Sequence, residues 1–364
     1  MKILEIIPQL SQGGAERFVV DLCNELSVRH NVTLVVLHNI DRTDFFLKEI
    51  NPRVKVISMN KRKGFDLSLF FKLWSLVKKE NPDVVHTHLR AIVYSLLAYL
   101  VPSHIKYIHT VHNDAAKEAG DGISRLCRKF AFKTKRVVPI TISEESKKTF
   151  VDFYGITPPM IYNGRPAYKE STDFQNVKQE LNSLRTNPDI PIIVNVARVC
   201  PQKNQLMLAK AVEELNQKGK NIELAIIGRI DNSPYSKELC AFRSAHVHLL
   251  GTRNNPRDYM KAADAFCLSS LYEGMPITLI ECFSVGAIPI CTSVGGIKNM
   301  LEDNKNGLLS AGVLQQDIEN SVVRFLNMSR EEREKMKSKS LLSFSKYDMI
   351  TCTCEYENLM LSLL

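Results

Sequence analysis

Residues 265–293 read AFCLSSLYEGMPITLIECFSVGAIPICTS, and this stretch decides the fold. Ala265–Leu268 is a short apolar run of strand length. The spacing then predicts a helix over Pro276–Phe283, with Pro276 at the first helical position, where its missing N–H costs nothing. Ile288–Cys291 is a second short apolar strand. Strand, helix and strand in so short a span form a βαβ unit, which implies a parallel sheet.

Working outward, the same alternation fills the chain. In the first half, strands are expected at Lys2–Ile7, Val32–Leu37, Val54–Ser58, Val84–His88, Lys106–Val111 and Val137–Ile142. Helices are expected at Ala15–Val28, Leu67–Lys79, Ala91–Leu100 and Ile123–Phe132. Thr157-Pro158-Pro159 and Asn163-Gly164-Arg165-Pro166 interrupt the pattern with turn formers. After a polar helical stretch, Phe174–Arg185, the alternation restarts with strands Ile192–Val196, Ile222–Ile227 and Val247–Leu250 and a helix Gln205–Gln217. A chain of 364 residues suits two domains. The predicted architecture is α/β: two Rossmann-like, doubly wound parallel-sheet domains joined near residues 160–170, with a cleft between them.

Bulk composition excludes several classes. Hydrophobic residues at 45% and charged residues at 24% describe an ordinary globular chain rather than a fibrous or disordered one. The N-terminal MKILEIIPQL is interrupted by Glu5 and Pro8 and lacks the unbroken core of a signal peptide. The longest apolar run, Ala91–Val101, is too short to span a bilayer. The nine cysteines are odd in number, form no C-x-x-C and lie partly in apolar runs; they read as reduced core thiols of a cytosolic protein. All the excess positive charge lies in residues 1–165, which carry 25 Lys and Arg against 16 Asp and Glu, chiefly within Arg53–Lys79 and Arg125–Lys148. Such a face attracts phosphates, as anionic lipid headgroups or nucleic acid, or simply keeps the protein soluble.

Three segments carry candidate chemistry. In Gln12-Gly13-Gly14-Ala15-Glu16-Arg17, adjacent glycines let backbone amides at a helix start approach a phosphate or sugar oxygen, although a plain tight turn reads the same way. It lacks the G-x-G-x-x-G spacing and the acidic residue of a dinucleotide site. In Ala197–Gln205, Arg198 and Lys203 flank a helix start and would neutralise a diphosphate without a metal; two surface cations on a solvated loop are the alternative. In Ser269–Glu281, Glu273 and Glu281 bracket Gly274-Met275-Pro276-Ile277-Thr278. A carboxylate suits paired hydroxyls of a sugar or ribose, and the free amides of Gly274–Ile277 suit oxygens. The apolar surroundings of Glu281 argue against its being a freely exposed helix residue.

Glu273-x7-Glu281 within EGMPITLIE, with GGAER near the N-terminus and ARVCPQKNQ at the entry to domain two, resembles the retaining glycosyltransferase family 4 of GT-B fold. Tyr162-Asn163-Gly164, Leu250-Gly251-Thr252-Arg253 and Ser293-Val294-Gly295-Gly296 belong to the same resemblance, which covers residues 1 to about 310. It implies an N-terminal acceptor-side domain, 1–165, completed by a C-terminal helix at about 345–364, and a nucleotide-sugar-binding domain, 166–344. It implies that Arg198 and Lys203 grip the donor diphosphate, with the Gly14 amides facing from the other domain. Glu273 would then hold the donor sugar and Glu281 the ribose, with backbone near Thr252 and Arg253 at the base. Gly295 and Gly296 would allow a close helix approach, and His112 would contact the donor sugar or acceptor near the reacting carbon. Where the family often has G-x-G, this chain has Gly228-Arg229-Ile230, and Arg229 is left without a role.

His86, His88 and His109 lie near strand ends and read as core or cleft-lining residues rather than metal ligands. The expected activity is metal-independent transfer of a hexose or N-acetylhexosamine, with UDP as the favoured nucleotide and GDP as the alternative. No cofactor is expected beyond the nucleotide-sugar substrate. The acceptor is expected to be a glycan or lipid-linked glycan of cell-envelope polysaccharide synthesis, met at the inner face of the plasma membrane. A two-lobed sugar-binding protein is the main rival, a nicotinamide dehydrogenase a weaker one, and no nucleic-acid motif supports a nucleic-acid partner.

Overall fold

The computed structural model describes residues 1–11, 13–40, 46–100, 104–120, 122–242 and 244–364. Gln12 of the glycine-rich loop and Val101 of the apolar run lie outside them. The chain forms two compact units, one of residues Met1–Pro166 with Tyr347–Leu364 and one of Ala167–Lys346.

The first unit holds strands β1 (Lys2–Ile7), β2 (Asn31–Val36), β3 (Lys55–Ser58), β4 (Val84–His88), β5 (Lys106–Val111) and β6 (Val138–Thr141). They form a parallel sheet in the order β3-β2-β1-β4-β5-β6. Every residue of β4 is buried, as expected of a parallel strand covered by helices on both faces. The winding runs outward through β2 and β3, then returns to β4 and leaves the other way. The switch point therefore lies between β1 and β4, where ligands of doubly wound sheets bind.

The second unit repeats the plan with β7 (Ile192–Val196), β8 (Glu223–Ile227), β9 (Val247–Gly251), β10 (Ala265–Leu268), β11 (Pro289–Cys291) and β12 (Leu308–Leu309). The order is β12-β11-β10-β7-β8-β9 and the pairing is parallel. Its switch point lies between β7 and β10. The core of this unit joins Ile193, Leu208, Leu224, Cys267, Ile290 and Phe325.

The C-terminal helix Met349–Leu363 belongs to the first unit. Arg165 N–H donates to Tyr347 O and Met349 N–H to Arg165 O, each at 2.9 Å. A Cβ on Gly164 would stand 2.7 Å from Cys352 Cβ and 2.9 Å from Met349 Cα, so only glycine admits the helix this closely. The Arg165 guanidinium reaches Asp21 on helix Gly14–Leu26.

Two expectations are corrected. The helix expected over Ala91–Leu100 is two short pieces, Ala91–Tyr94 and Leu96–Leu100. Ser95 sits between them, its hydroxyl donating to Ala91 O at 3.0 Å, a local bond that competes with helix continuation. Pro276 is the N-cap rather than the first helical residue: its ψ of 117° is extended, and the helix runs Ile277–Val285.

Candidate functional site

The winding of the second unit brings the loops after β7 and β10 side by side. They are joined along their length. Leu271 N–H donates to Gln202 O at 2.8 Å, the Ser269 hydroxyl to Lys203 O at 2.9 Å, and the Gln202 amide to Tyr272 O at 2.9 Å. Asn204 adopts the left-handed conformation, φ 55°, and turns the chain from the Pro201–Lys203 turn into helix Gln205–Gln217.

At the centre of this junction Lys203 Nζ lies 2.5 Å from Glu273 Oε1. The Ser270 hydroxyl donates to the same oxygen at 2.5 Å. The Glu273 side chain is 7% exposed and that of Lys203 18%, so the pair is shielded but open on one side. Arg198 is exposed. Its carbonyl accepts from Gln205 Nε2 at 3.0 Å, which fixes the backbone, while the guanidinium has no partner among the described residues.

Helix Ile277–Val285 starts directly behind Glu273. The backbone amides of Gly274, Met275, Ile277 and Thr278 donate to no described residue, as expected for a helix start. Met275, Pro276 and Ile277 are buried, which gives these amides an apolar setting. Glu281, on the same helix, is 6% exposed, so the freely exposed alternative for it is excluded.

Gly295 and Gly296 were expected to admit a helix. They admit the Glu273 loop instead: a Cβ on Gly295 would overlap the Glu273 carbonyl, and one on Gly296 the Gly274 carbonyl. Gly296 N–H donates to Glu273 O at 3.4 Å. Gly228 plays a similar part, since a Cβ there would overlap the Ala197 carbonyl next to Arg198. Thr252 is exposed after β9. The Arg253 side chain is engaged structurally, with Nη2 2.6 Å from Glu180 and Nε donating to the Tyr259 hydroxyl at 2.9 Å, which leaves the Thr252–Arg253 backbone as the available surface.

The first unit places a second polar cluster at its own switch point. Glu5 on β1 and His86 and His88 on β4 are all fully buried. Glu5 Oε2 lies 2.9 Å from His88 Nε2 and Oε1 lies 3.1 Å from His86 Nδ1. His86 Nε2 meets the Thr110 hydroxyl at 2.8 Å, which meets the Tyr356 hydroxyl of the C-terminal helix at 2.8 Å. His88 Nδ1 meets His112 Nε2 at 3.0 Å. Glu5, His86 and His88 are close enough to bracket a small cation, but the ring nitrogens of both histidines are engaged in these hydrogen bonds. Burial opposes ionisation of Glu5, yet His86 and His88 overcome it and hold the carboxyl at about 2.

His112 follows β5 and is 7% exposed. Its backbone N–H and that of Asn113 donate to Glu118 Oε2 at 2.7 and 3.1 Å. Glu118 in turn meets Arg128 at 3.1 Å and His109 at 3.3 Å. Burial holds the imidazoles of His109 and His112 down at about 4, and that of His88 well below its usual value. The sequence reading singled out His112 and passed over Glu5 and Glu118. Only the isolated acid in an apolar strand, KILEII, signalled Glu5.

At the Gly13–Gly14 loop, helix Gly14–Leu26 begins with an acid folded over its own start. A Cβ on Gly13 would collide with the Glu16 carboxylate, and the Ser11 hydroxyl donates to Glu16 Oε1 at 3.0 Å. Gly14 itself is exposed.

Comparison with known proteins fits both halves of this geometry. Residues 12–166 match Glycosyltransferase Family 4 and residues 176–341 match Glycosyl transferases group 1. The chain belongs to glycosyltransferase family 4. The capsular polysaccharide biosynthesis glycosyltransferase CapH of Staphylococcus aureus is 26% identical over 312 residues, 81% of this chain and 82% of that protein. A UDP-Gal:alpha-D-GlcNAc-diphosphoundecaprenol alpha-1,3-galactosyltransferase of Escherichia coli is 27% identical over 260 residues, 67% of this chain and 66% of that one. The crystal structure of Anabaena Alr3699/HepE in complex with UDP superposes with a TM-score of 0.82 at 19% identity and full coverage of both chains. The fold of this glycosyltransferase is therefore GT-B, and family membership sets aside the solute-binding and dehydrogenase readings.

Proposed function

We propose that this glycosyltransferase moves a hexose or N-acetylhexosamine from a UDP-sugar to a lipid-linked glycan of envelope polysaccharide synthesis, with retention at the anomeric carbon. The observation that carries the donor assignment is the shielded Lys203–Glu273 pair at the switch point of the second unit, in the same loop as Arg198, whose guanidinium has no partner among the described residues. GDP is the alternative nucleotide. The UDP named with the Anabaena structure and the UDP-galactose named for the Escherichia coli relative favour UDP.

In this reading Arg198 and Lys203 hold the diphosphate, and the open amides of Gly274–Thr278 take oxygens of the donor. Glu273 accepts from donor-sugar hydroxyls, Glu281 from the ribose, and the Thr252–Arg253 backbone meets the base. Gly14 and His112 serve from the first unit. The bond from the anomeric carbon to the phosphate oxygen breaks as an acceptor oxygen bonds to the same face of the sugar, and the acceptor proton passes to the departing diphosphate. The two cations stabilise that departing charge without a metal.

The acceptor side rests on the relatives and on one surface. The Escherichia coli relative is named for a diphosphoundecaprenol acceptor. In the first unit, Met59, Phe71, Lys72, Ser75, Leu76 and Lys79 line an open groove of about 490 Å³. Phe65 and Leu67, close to it in sequence, are exposed, as Phe71 is, and Ile123, Leu126 and Phe130 are exposed on helix Gly122–Lys133. Apolar side chains among lysines suit the interface of an anionic leaflet, which implies a peripheral enzyme at the cytoplasmic face. No helix of the described residues is long and apolar enough to cross a membrane.

A panel of UDP- and GDP-sugars incubated with a short lipid-diphosphate glycan, with the anomeric configuration of the product read by NMR, tests the proposal. An α-linked product from an α-linked UDP-sugar is expected. Inversion, or transfer from none of the UDP-sugars, overturns it.

A further inference from the structure

The buried cluster of the first unit has a directionality that the donor assignment does not use. Glu5 is a carboxylate held at about 2 by its two histidines against the cost of burial. Ionised, it only accepts hydrogen bonds, so the nitrogen of His88 facing it, Nε2 at 2.9 Å, carries a hydrogen. Burial disfavours the charged form of His88, and a neutral imidazole has one N–H. The other nitrogen, Nδ1, is therefore a bare lone pair, and it faces His112 Nε2 at 3.0 Å. A bond between those two nitrogens needs a hydrogen from one of them, and His112 is the one left to supply it. His112, also neutral by burial, then has its lone pair on Nδ1, which has no hydrogen-bond partner among the described residues.

The surroundings hold this arrangement. Phe18 contacts both rings edge-on, at 6.4 Å from His88 and 5.8 Å from His112, and is itself fully buried. Glu118 fixes the His112 backbone from the other side. The remaining arm, His86–Thr110–Tyr356, orients the Glu5 carboxylate through the C-terminal helix.

We propose that Glu5 and His88 are positioning residues that fix His112 as its Nε2–H tautomer, so that His112 presents Nδ1 as a hydrogen-bond acceptor for a ligand hydroxyl. The inference rests on the proposed contact of His112 with substrate and names the chemistry of that contact. His112 selects a sugar carrying an O–H at the facing position, and a deoxy or O-methyl analogue at that carbon gives up the bond. A second neutral tautomer, presenting N–H, would favour the opposite choice.

The test reads the tautomer directly. Ring-nitrogen NMR of the 15N-labelled full chain at pH 7.5, without donor or acceptor, is expected to show His88 and His112 neutral and protonated at Nε2. A His112 protonated at Nδ1, or charged at that pH, overturns the proposal even if no variant can be made. Glu5→Gln replaces one acceptor with an N–H. In the folded variant His112 is expected to lose its pure Nε2–H signature, and kcat to fall about tenfold with an unchanged KM for donor, the value of one misdirected hydrogen bond. An unchanged His112 signature in folded Glu5→Gln overturns the control assigned to Glu5. Because the spectra need no turnover, a chain that failed to transfer sugar would sink the proposed function and leave the tautomer result standing.

Discussion

Lys203 Nζ and Glu273 Oε1 stand 2.5 Å apart across two loops that are distant in sequence and adjacent in the sheet. The pair is a charge-assisted bond at the point where β7 and β10 part. Its consequence is an asymmetry between the two basic residues of the loop. Lys203 is engaged before any ligand arrives, whereas the Arg198 guanidinium is free to give all its donors to a phosphate.

Arg198→Ala is therefore expected to act mainly on nucleotide affinity. One charged hydrogen-bonding group contributes on the order of 1.5–3 kcal/mol, so calorimetry should show UDP binding weakened roughly 10–100-fold. Lys203→Ala should instead lower kcat by about 10²–10³-fold, since it also leaves Glu273 without its cation. Unchanged UDP affinity in Arg198→Ala, or wild-type turnover in Lys203→Ala, would remove the diphosphate role.

Gly295 supports the site from beneath. At φ +46° an added Cβ would be strained and would overlap the Glu273 carbonyl. Strain of this kind costs on the order of 1–3 kcal/mol. Gly295→Ala should lower the melting temperature of the second unit by several degrees and reduce turnover at least tenfold through displacement of Glu273. Gly219→Ala is the control: it shares a positive φ, +73°, but meets open space, so it should lose stability and keep activity. Equal losses of activity in both would argue against a supporting role for Gly295.

How far this was legible in the sequence varied with the kind of interaction. Strands such as Lys2–Ile7, Val84–His88 and Ile192–Val196 are short β-rich runs with a proline close to one end, Pro8, Pro82 and Pro191, so their limits were readable to the residue. Glu273 and Lys203 were readable as candidates because each lies in a loop that leaves a strand end and leads into a helix start, where ligands of doubly wound sheets bind. The contact between them was not, since it depends on β10 lying between β7 and β11 rather than beside β9, the strand before it in sequence. Gly295 read as a glycine needing room without revealing that the room is for the Glu273 carbonyl. Tyr356 contacts Thr110 from 246 positions away, and no local pattern encodes such a pairing. The two-residue strand Leu308–Leu309 is too short to show a period.

The buried histidines make an acid-sensitive first unit. Burial keeps His88 neutral to well below its usual range and His109 and His112 neutral to about 4. In the unfolded chain imidazoles titrate near 6.5, so below that pH the unfolded chain takes up protons that the folded unit refuses. Stability falls as pH drops from about 7 towards 4, by on the order of 1 kcal/mol per histidine for each pH unit crossed. Glu5 and Glu118, held at about 2, add a second loss as pH falls from the ordinary carboxylate range towards 2. The single tryptophan, Trp74, lies in the first unit on helix Ser68–Glu80, so its fluorescence reports this unit alone. Its urea midpoint should be level above pH 7 and fall clearly by pH 5.5. An unchanged midpoint across that interval would mean these rings are not held neutral by burial.

The surface of helix Ser68–Glu80 and the residue before it is both apolar and basic. Leu67 and Phe71 are 68% and 65% exposed, a cost for a chain that meets only water, and Lys72 and Lys79 line the groove beside Phe71. Exposed positions tolerate substitution within about 0.5 kcal/mol, so Leu67→Ser with Phe71→Ser should leave the urea midpoint unchanged. If the surface docks on an anionic leaflet, the wild type should float with vesicles containing phosphatidylglycerol at low salt and not with neutral ones, and the double variant should lose most of that binding. Lys72→Glu with Lys79→Glu should lose it too, and added salt should weaken the wild type by screening the lysines while the apolar contribution persists. Equal flotation with neutral and anionic vesicles, or full binding by both double variants, would place the membrane contact elsewhere on the molecule or nowhere.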